Sequence, residues 1–512
     1  MNIGYTVRIA IIVSLGGFLY GFDASVISGV IGYVATQYDL NSIQQGWVVS
    51  STTFAAMFSM LTAGTVSTYL GRRRVLIYVA ILYAISAIGS AMAPSYETLV
   101  AARMIGGIAF GAALILAPIY IAEISPAEIR GRLVSVQQLN LVIGLSAAYF
   151  SNYFLQSALE NYHFLSKENI WRWMLGVEAI PAMLYFLFLF LVPRSPRWLL
   201  LKGDMTEAEN VLSKIFVDQR IDVEKANIIR SINDEKNKKK ASLKNLFEKQ
   251  LRLVLIVGLI IGIIQMITGI NAVFYYANTI FEQSGVGKDA AFAQAVLVGI
   301  TLIIFTIVSM FIIDKFGRRP LLLIGLAGII LTLSLTAYGF YDATFRLSAE
   351  SISSLQSQLN LSSLQEIAGK TYDSDLSFKK AVIEVIGKEQ FSKNQNIILT
   401  KAIDINSRLV LVGILGFIAS FAMSLGPVMW VLLSEIFPTK IRGLAISVIG
   451  FINSTTSTVV TLIFPWELEN LGNVVTFLIY IGFAILGLVL LTKLLPETKG
   501  KSLEELEKDF VK

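Results

Sequence analysis

Asp23 is a carboxylate in the middle of an apolar run, Gly21-Phe-Asp-Ala-Ser-Val-Ile-Ser-Gly29. If that run crosses a membrane, holding the group there costs at least ~2.5–3.5 kcal/mol, so an ionisable residue at such depth is read as functional. Arg103 and Glu178 also fall inside apolar stretches. A second constellation occurs twice. Gly71-Arg-Arg-Arg-Val-Leu is answered by Gly317-Arg-Arg-Pro-Leu-Leu, and Glu123-Ile-Ser-Pro-Ala-Glu-Ile-Arg130-Gly by Glu435-Ile-Phe-Pro-Thr-Lys-Ile-Arg442-Gly. Arg72, Arg73, Glu123 and Arg130 in the first copy, and Arg318, Arg319, Glu435 and Arg442 in the second, are candidates for gating salt bridges. They would hold two halves of a molecule together when one face is shut. Other chemistry is poorly represented. The chain has no cysteine and a single histidine, His163, in a polar stretch, so thiol chemistry, disulfides and a histidine metal cluster are excluded. No phosphate-cradling Gly-Lys loop or nucleophile–base pair stands out, and Gly106-Gly107 is read as a close-packing pair. Neither an enzyme, a metal nor a cofactor is expected.

The elements that must position these residues are membrane helices. Of the 512 residues 55% are hydrophobic and only 15% charged, against about 25% charged in a soluble chain. Twelve runs are long enough to span a bilayer, at roughly 7–31, 46–69, 74–93, 98–122, 131–155, 172–192, 252–280, 289–313, 319–341, 408–432, 442–464 and 473–494. The first is too long for a signal peptide and lacks a cleavage site, so it is read as a retained span. Nothing shows the alternation of a membrane β-barrel. The fold class is therefore an all-α membrane protein. The net charge of +6 comes from basic residues between the runs, which sets membrane orientation and implies no nucleic-acid partner. Arg72, Arg73 and Arg74 follow run 2, and Lys315, Arg318 and Arg319 follow run 8, whereas the loops after runs 1, 3 and 11 carry no Lys or Arg. Both termini are expected in the cytoplasm.

The repeat divides the chain. Residues 1–194 form an N-terminal six-helix bundle and 251–495 a C-terminal one. Residues 195–250 form a cytoplasmic helical linker with a capping-box-like start at Asp204-Met-Thr-Glu207 and a basic run at 236–240. Residues 496–512 are a cytoplasmic tail. Gly71 to Glu123 spans 52 positions and Gly317 to Glu435 spans 118. The excess of 66 approximates residues 342–406, which are thus an insertion on the non-cytoplasmic face, with helix-like stretches such as 378–391. It is either a passive loop or a lid. Parallel six-helix halves bind a solute near the midplane and alternate access by rocking.

Further motifs give these features a family. They are Asp314-Lys-Phe-Gly-Arg-Arg319, Arg103-Met-Ile-Gly-Gly-Ile-Ala-Phe-Gly111 leading to Tyr120-Ile-Ala-Glu123, and Gln265-Met-Ile-Thr-Gly-Ile-Asn271. Gly426-Pro-Val-Met-Trp430 and Pro496-Glu-Thr-Lys-Gly500 complete the set. In order and at the right runs, they resemble the sugar porters of the major facilitator superfamily over nearly the whole chain. The resemblance implies the major facilitator fold, with twelve helices in two pseudo-symmetric halves, in the plasma or inner membrane. It implies a sugar site at Gln138, Gln265, Asn271, Tyr275, Trp430 and Asn453, and adds Asp314 to the gating set. Amides donate to and accept from vicinal hydroxyls, and an aromatic face packs on the apolar side of a sugar ring. Taken alone, such amides more often bond across helices. Met266, Leu302 and Ser454 stand where family members carry glutamine, asparagine and tryptophan, so the site is less polar. Thr68-Tyr69 replaces an Asp-Arg pair before Gly71, and Arg194 replaces a glutamate whose second-half counterpart, Glu497, is kept.

Proton-coupled members carry aspartate at the position of Asp23 and facilitative members a neutral residue. Arg103 matches its basic partner and Glu178 a family glutamate. Paired with Arg103, Asp23 stays ionised; separated in apolar surroundings, it takes a proton. The expected activity is proton symport of a hexose, pentose or related polyol by a monomer. The alternatives are a facilitative uniporter with a static Asp23–Arg103 bridge and a non-transporting sugar sensor. Sensors usually carry a long cytoplasmic tail, whereas about 18 residues follow the last run here.

Overall fold

The structure, a computed structural model, describes residues 2–495 and Glu497, except Ala127, Val217, 238–242, 249–250, 360–361 and 439–440. The side chains of the basic run 236–240, the side chain of Asp314 and the tail 496–512 apart from Glu497 lie outside the described residues.

The first five helices are long and continuous: α1 (Ile3–Gln37), α2 (Ser42–Leu70), α3 (Arg72–Ala91), α4 (Tyr96–Ile124) and α5 (Arg130–Ala158). Local chemistry sets their starts. Asn41 and Gln44 form a capping box on α2, and Ser95 with Thr98 does the same for α4. Gly71 turns the chain from α2 into α3 at φ 91°, where a side chain would be strained. The run expected as one helix at 172–192 is broken into α6 (Ile170–Gly176) and α7 (Ala179–Leu189), with Glu178 at the break. The linker holds α8 (Pro196–Lys202), α9 (Met205–Ile215), α10 (Asp218–Asn237) and α11 (Leu243–Leu246). Asp204 caps α9 by accepting from the Glu207 amide at 3.2 Å. The reciprocal half of the box is absent because the Glu207 carboxylate pairs with Arg194 at 2.9 Å.

The second set begins with another broken run. Residues 252–280 form α12 (Arg252–Ile267), α13 (Ile270–Tyr275) and α14 (Ala277–Gln283), interrupted at Gly269, whose φ of 88° no helix tolerates. Two long helices follow, α15 (Lys288–Phe316) and α16 (Arg318–Tyr341). After the insertion come α20 (Ser407–Met423) and α21 (Leu425–Ile436), separated at Ser424 just ahead of Pro427, then α22 (Arg442–Asn470) and α23 (Gly472–Leu494). Eleven helical segments among the described residues are long and apolar enough to cross a membrane. The expected run 46–69 forms α2, whose 29 residues suffice in length but which is richer in serine and threonine than the others.

The insertion is a folded unit. It contains β1 (Thr344–Arg346), α17 (Ala349–Leu359), β2 (Thr371–Tyr372), α18 (Asp375–Ile386), α19 (Lys388–Ala402) and β3 (Ile403–Asp404). Its antiparallel sheet has the order β2-β1-β3, with Phe345 opposite both Tyr372 and Ile403. The helix-like stretch 378–391 is in fact two helices, because Gly387 at φ 79° ends α18. Phe345, Leu355, Phe378, Val382 and Ile398 fill a core separate from that of the membrane helices. Lys379 anchors the unit. Its buried ammonium reaches Asp375 at 3.2 Å and the Leu468 carbonyl, at the far end of α22, at 3.0 Å. Lys379→Met leaves that carbonyl and the half-buried Asp375 without their cation. We expect faster proteolytic cleavage within 343–405, by roughly five- to thirtyfold for a loss of about 1–2 kcal/mol, with the membrane helices still protected.

Candidate functional site

The arginine-rich ends of the helices are called the basic end here, and the insertion lies at the far end. Hydrogen bonds join the first set of helices to the second from the far end to past their middle, where the Ser454 hydroxyl of α22 reaches the Met60 sulfur of α2 at 3.7 Å. Ser28 donates to the Asn278 Oδ1 at 2.7 Å, and the Tyr149 hydroxyl to the Phe274 carbonyl at 2.6 Å. Ser146 donates to the Gly299 carbonyl at 2.8 Å, and Thr458 to Thr53 at 3.1 Å. Gln138, near the basic end of α5 and on the same helical face as Leu145 and Tyr149, is exposed.

Midway along α1, Asp23 meets Arg103 of α4 at 3.1 Å, with exposures of 3% and 1%. The guanidinium also donates to the Val48 carbonyl at 3.2 Å, so three helices converge on it. Glu178, 2% exposed, lies within electrostatic reach of both, and its Oε1 has no hydrogen-bond partner among the described residues. Close packing builds this pocket. A Cβ at Gly107 would lie 2.1 Å from the Thr52 carbonyl oxygen, so only glycine lets α4 come this near α2, as expected of the Gly106-Gly107 pair. Tyr83, a fully buried phenol with no partner among the described residues, lies near both carboxylates without a motif to mark it in the sequence. Ser86, packed against Gly106, is equally unmarked.

Tyr275 of α13 is buried within electrostatic reach of Asp23 and Arg103, and Asn271 lies one turn before it on the same helix. Gln265 donates to the Leu425 and Gly426 carbonyls at 2.9 and 3.3 Å, in the first turn of α21. Asn453 donates to the Gln265 Oε1 at 2.9 Å and to the Gly262 carbonyl at 2.8 Å. Asn271 donates to Ser457 at 2.6 Å and to the Met266 sulfur at 3.4 Å. The three amides therefore spend their N–H groups within the protein and keep the Oδ1 atoms of Asn453 and Asn271 as acceptors. Trp430 on α21 is 41% exposed and lies 3.8 Å from where a Cβ on Gly450 would sit. Ser457 was missed, although it lies four residues after Asn453 on the same helix face. Also missed were Gln137, buried with an Oε1 that has no partner among the described residues, and Asn140, which donates to Ser14 at 2.5 Å.

The repeated charges pair within each set. Arg72 bridges to Glu123 at 3.0 Å and Arg318 to Glu435 at 2.9 Å. Arg73 donates to the Leu189 and Phe190 carbonyls at the end of α7, and Arg319 to the Thr492 carbonyl near the end of α23. Arg130 and Arg442 each reach a carbonyl five residues back, Ser125 at 3.3 Å and Phe437 at 3.1 Å. The correspondence breaks at one place. Glu497 accepts from the Arg318 and Arg319 amides, both at 3.2 Å, and so caps α16. Its counterpart Arg194 turns to Glu207, and the start of α3 has no side-chain cap.

A family model described as "Sugar (and other) transporter" matches residues 9–356 and 391–510. The arabinose-proton symporter of Bacillus subtilis is 32% identical over 511 residues, covering 100% of this chain and 96% of its own. A D-xylose transporter of Levilactobacillus brevis is 33% identical over 497 residues, covering 96% and 93%. The xylose transporter of E. coli, in a partially occluded inward open conformation, superposes with a TM-score of 0.75 at 28% identity over 98% of this chain and 100% of that one. The chain, a multi-pass membrane protein, belongs to the sugar transporter family of the major facilitator superfamily.

Proposed function

We propose that the protein imports a monosaccharide or related polyol together with a proton, by alternating access between helix bundles 1–194 and 251–495. The observation that carries this reading is the buried Asp23–Arg103 pair, 3.1 Å apart, with Glu178 beside it and Tyr275 within electrostatic reach. A static bridge between α1 and α4 has no use for a second carboxylate lacking a hydrogen-bond partner. A proton carrier does, because the proton can pass between carboxylates when the arginine shifts. That the similar chains include a protein named as an arabinose-proton symporter supports the same reading. In it the chain has twelve spans, the basic end and both termini face the cytoplasm, and the structure is the inward-facing state. Residues 195–250 are then a cytoplasmic linker, 496–512 a cytoplasmic tail, and the insertion lies outside.

Gln138, Gln265, Asn271, Tyr275, Trp430 and Asn453 form the sugar site of this proposal. Arg72, Arg73, Glu123, Arg130, Asp314, Arg318, Arg319, Glu435 and Arg442 form its gate, which closes when the bundles meet at the basic end. Because the amide protons are committed, the sugar binds this wall mainly by donating its hydroxyls. Asn453→Ala removes one acceptor and strands the Gln265 Oε1. The KM for the transported sugar should rise about tenfold, the equivalent of one lost buried hydrogen bond, with kcat changed less. The proposal is tested by uptake of labelled pentoses, hexoses and inositol into cells with and without a protonophore. Uptake that persists against a gradient after the proton gradient is dissipated would remove the symport, and no uptake of any of them would remove the substrate class.

A further inference from the structure

Residues 357–390, at the centre of the insertion, lie outside the match to the family model, so membership of the family assigns them no role. The insertion is fastened to the second bundle at the α22–α23 turn and again at the corner between α14 and α15. At the first place Lys379 donates to the Leu468 carbonyl at 3.0 Å, Lys388 pairs with Glu469 at 3.7 Å and Asp375 packs against Gly472. At the second the contact is apolar. Gly285 turns the chain there at φ 82°, and a Cβ on it would lie 2.8 Å from the Ile403 Cγ2 and 3.2 Å from the Ile405 Cγ2. Ile403 belongs to β3, and Ile405 packs against both the core of the insertion and that of the membrane helices.

The corner needs such a seat. The seven residues of α14 run from the break at Tyr276 almost to Gly285, and a helix that short has little stability of its own. Yet this part of the chain ties the second bundle to the first at the far end. Asn278 of α14 accepts from Ser28 of α1 at 2.7 Å. Gln156 of α5 accepts from the Tyr33 hydroxyl of α1 at 2.5 Å and donates to the Asp289 carboxylate at 3.0 Å. The Lys288 ammonium sits 3.3 Å above the Tyr33 ring, a cation–π contact. Tyr33 and Gln156 are buried, and a hydrogen bond to an ionised carboxylate is stronger than a neutral one. Lys288 and Asp289 open α15, within one turn's length of Gly285. A corner that shifted would carry both away from their partners.

We propose that the insertion is a strap: by seating the α14–α15 corner it keeps Lys288 and Asp289 against Tyr33 and Gln156, and so latches the two bundles together at the far end. The latch opposes opening of that end, so the strap slows the return to the outward-facing state. This consequence rests on the alternating access proposed above; the contacts themselves do not.

The test is a labelling rate in intact cells. Ala295, 1% exposed on α15, lies one turn from Phe292 and from Gly299, which meet Gly29 and Ser146 of the first bundle. The natural chain has no cysteine, so Ala295→Cys places a single thiol in that seam. A membrane-impermeant maleimide outside the cell reaches it when the far end opens. In this background Gln156→Leu, which cuts the latch, should speed labelling about tenfold, the equivalent of one lost charge-assisted hydrogen bond. Ile403→Ala with Ile405→Ala, which removes the seat and leaves the insertion in place, should speed it by a similar factor. So should replacement of 345–403 by Gly-Ser-Gly, because the flanking Thr344 and Asp404 are cross-strand partners about 5 Å apart and a short turn joins them. Combined with Gln156→Leu, either change to the strap should add little, since the strap acts through the latch. The melting temperature of each variant shows whether it has folded, and the double alanine variant carries the test if the excised chain does not fold. Unchanged or slower labelling in the strap variants, or a hundredfold gain when strap and latch changes are combined, would overturn the proposal. No labelling in any variant would overturn the alternating-access reading with it, whereas labelling that responds to Gln156→Leu alone removes only the strap.

Discussion

Asp23→Asn is expected to abolish accumulation of sugar against a gradient while leaving exchange of labelled for unlabelled sugar across the membrane. Asparagine keeps the shape of the side chain, and its Oδ1 can still accept from Arg103, now at 3.1 Å from the carboxylate. It cannot carry a proton. Coupling one proton to a membrane potential of 100 mV supplies about 2.3 kcal/mol, which corresponds to roughly fiftyfold accumulation. The variant should equilibrate at a ratio of about one. Removing one partner of a buried pair leaves the other charge uncompensated, which in a soluble interior costs about 3–5 kcal/mol. Here Glu178 stands within reach of Arg103 as a replacement counter-charge, so the variant should fold and exchange. Accumulation by Asp23→Asn above the equilibrium ratio would show that Asp23 is not the coupling group. Loss of exchange as well, in a protein that folds, would favour the static-bridge reading.

The family and the helical fold were legible in the sequence because lipid leaves a strong signature: long apolar runs with charges confined to their ends. The breaks within those runs were not. Glu178, Gly269, Tyr276 and Ser424 interrupt helices that hydropathy alone reads as continuous, because what frees the backbone there is tertiary. At Ser424 the break comes before Pro427, which has no amide proton for the Met423 carbonyl; Ser309, 114 residues away, donates to that carbonyl at 3.4 Å. The same limit applies to the site. The resemblance picked out Gln265, Asn271 and Asn453, but only the fold reveals that two of them bond each other. It also places an undetected phenol, Tyr83, beside the carboxylates. Spacing alone gave no pairing for the repeated charges. Glu123 turns to Arg72, on α3, rather than to Arg130, because α5 begins at Arg130 and carries its guanidinium back to the Ser125 carbonyl. The insertion was read as helical fragments, since strands of two or three residues are too short for an alternating pattern to register.

The contact between α2 and α22 offers a test of the rocking motion that is independent of the proton. Gly46, near the far end of α2, sits against the backbone of α22 so closely that a Cβ there would lie 1.9 Å from the Leu462 carbonyl oxygen. Backbone cannot give way as a flexible side chain can, so a larger residue at position 46 must push the two helices apart. The same is true to a lesser degree at Gly299, where a Cβ would meet the Ser146 Cα at 2.9 Å. Both contacts join the first bundle to the second, and under the proposed inward-facing reading neither is needed once the far end opens. Gly46→Leu should therefore remove the inward-facing state and leave the outward-facing one. Overpacking a tight contact typically costs about 1–3 kcal/mol, and a shift of that size moves the population by roughly five- to more than hundredfold. The natural chain contains no cysteine, so Gln138→Cys, exposed on α5 in this structure, is a background-free reporter of the open basic end. With Gly46→Leu its labelling by a membrane-impermeant thiol reagent from the cytoplasmic side should slow at least fivefold. Uptake and exchange, measured for Gly46→Leu with Gln138 intact, should fall together, in contrast to Asp23→Asn, which separates them. Unchanged labelling and unchanged exchange would mean that the bundles do not part at α2 and α22, and that access alternates by some other movement.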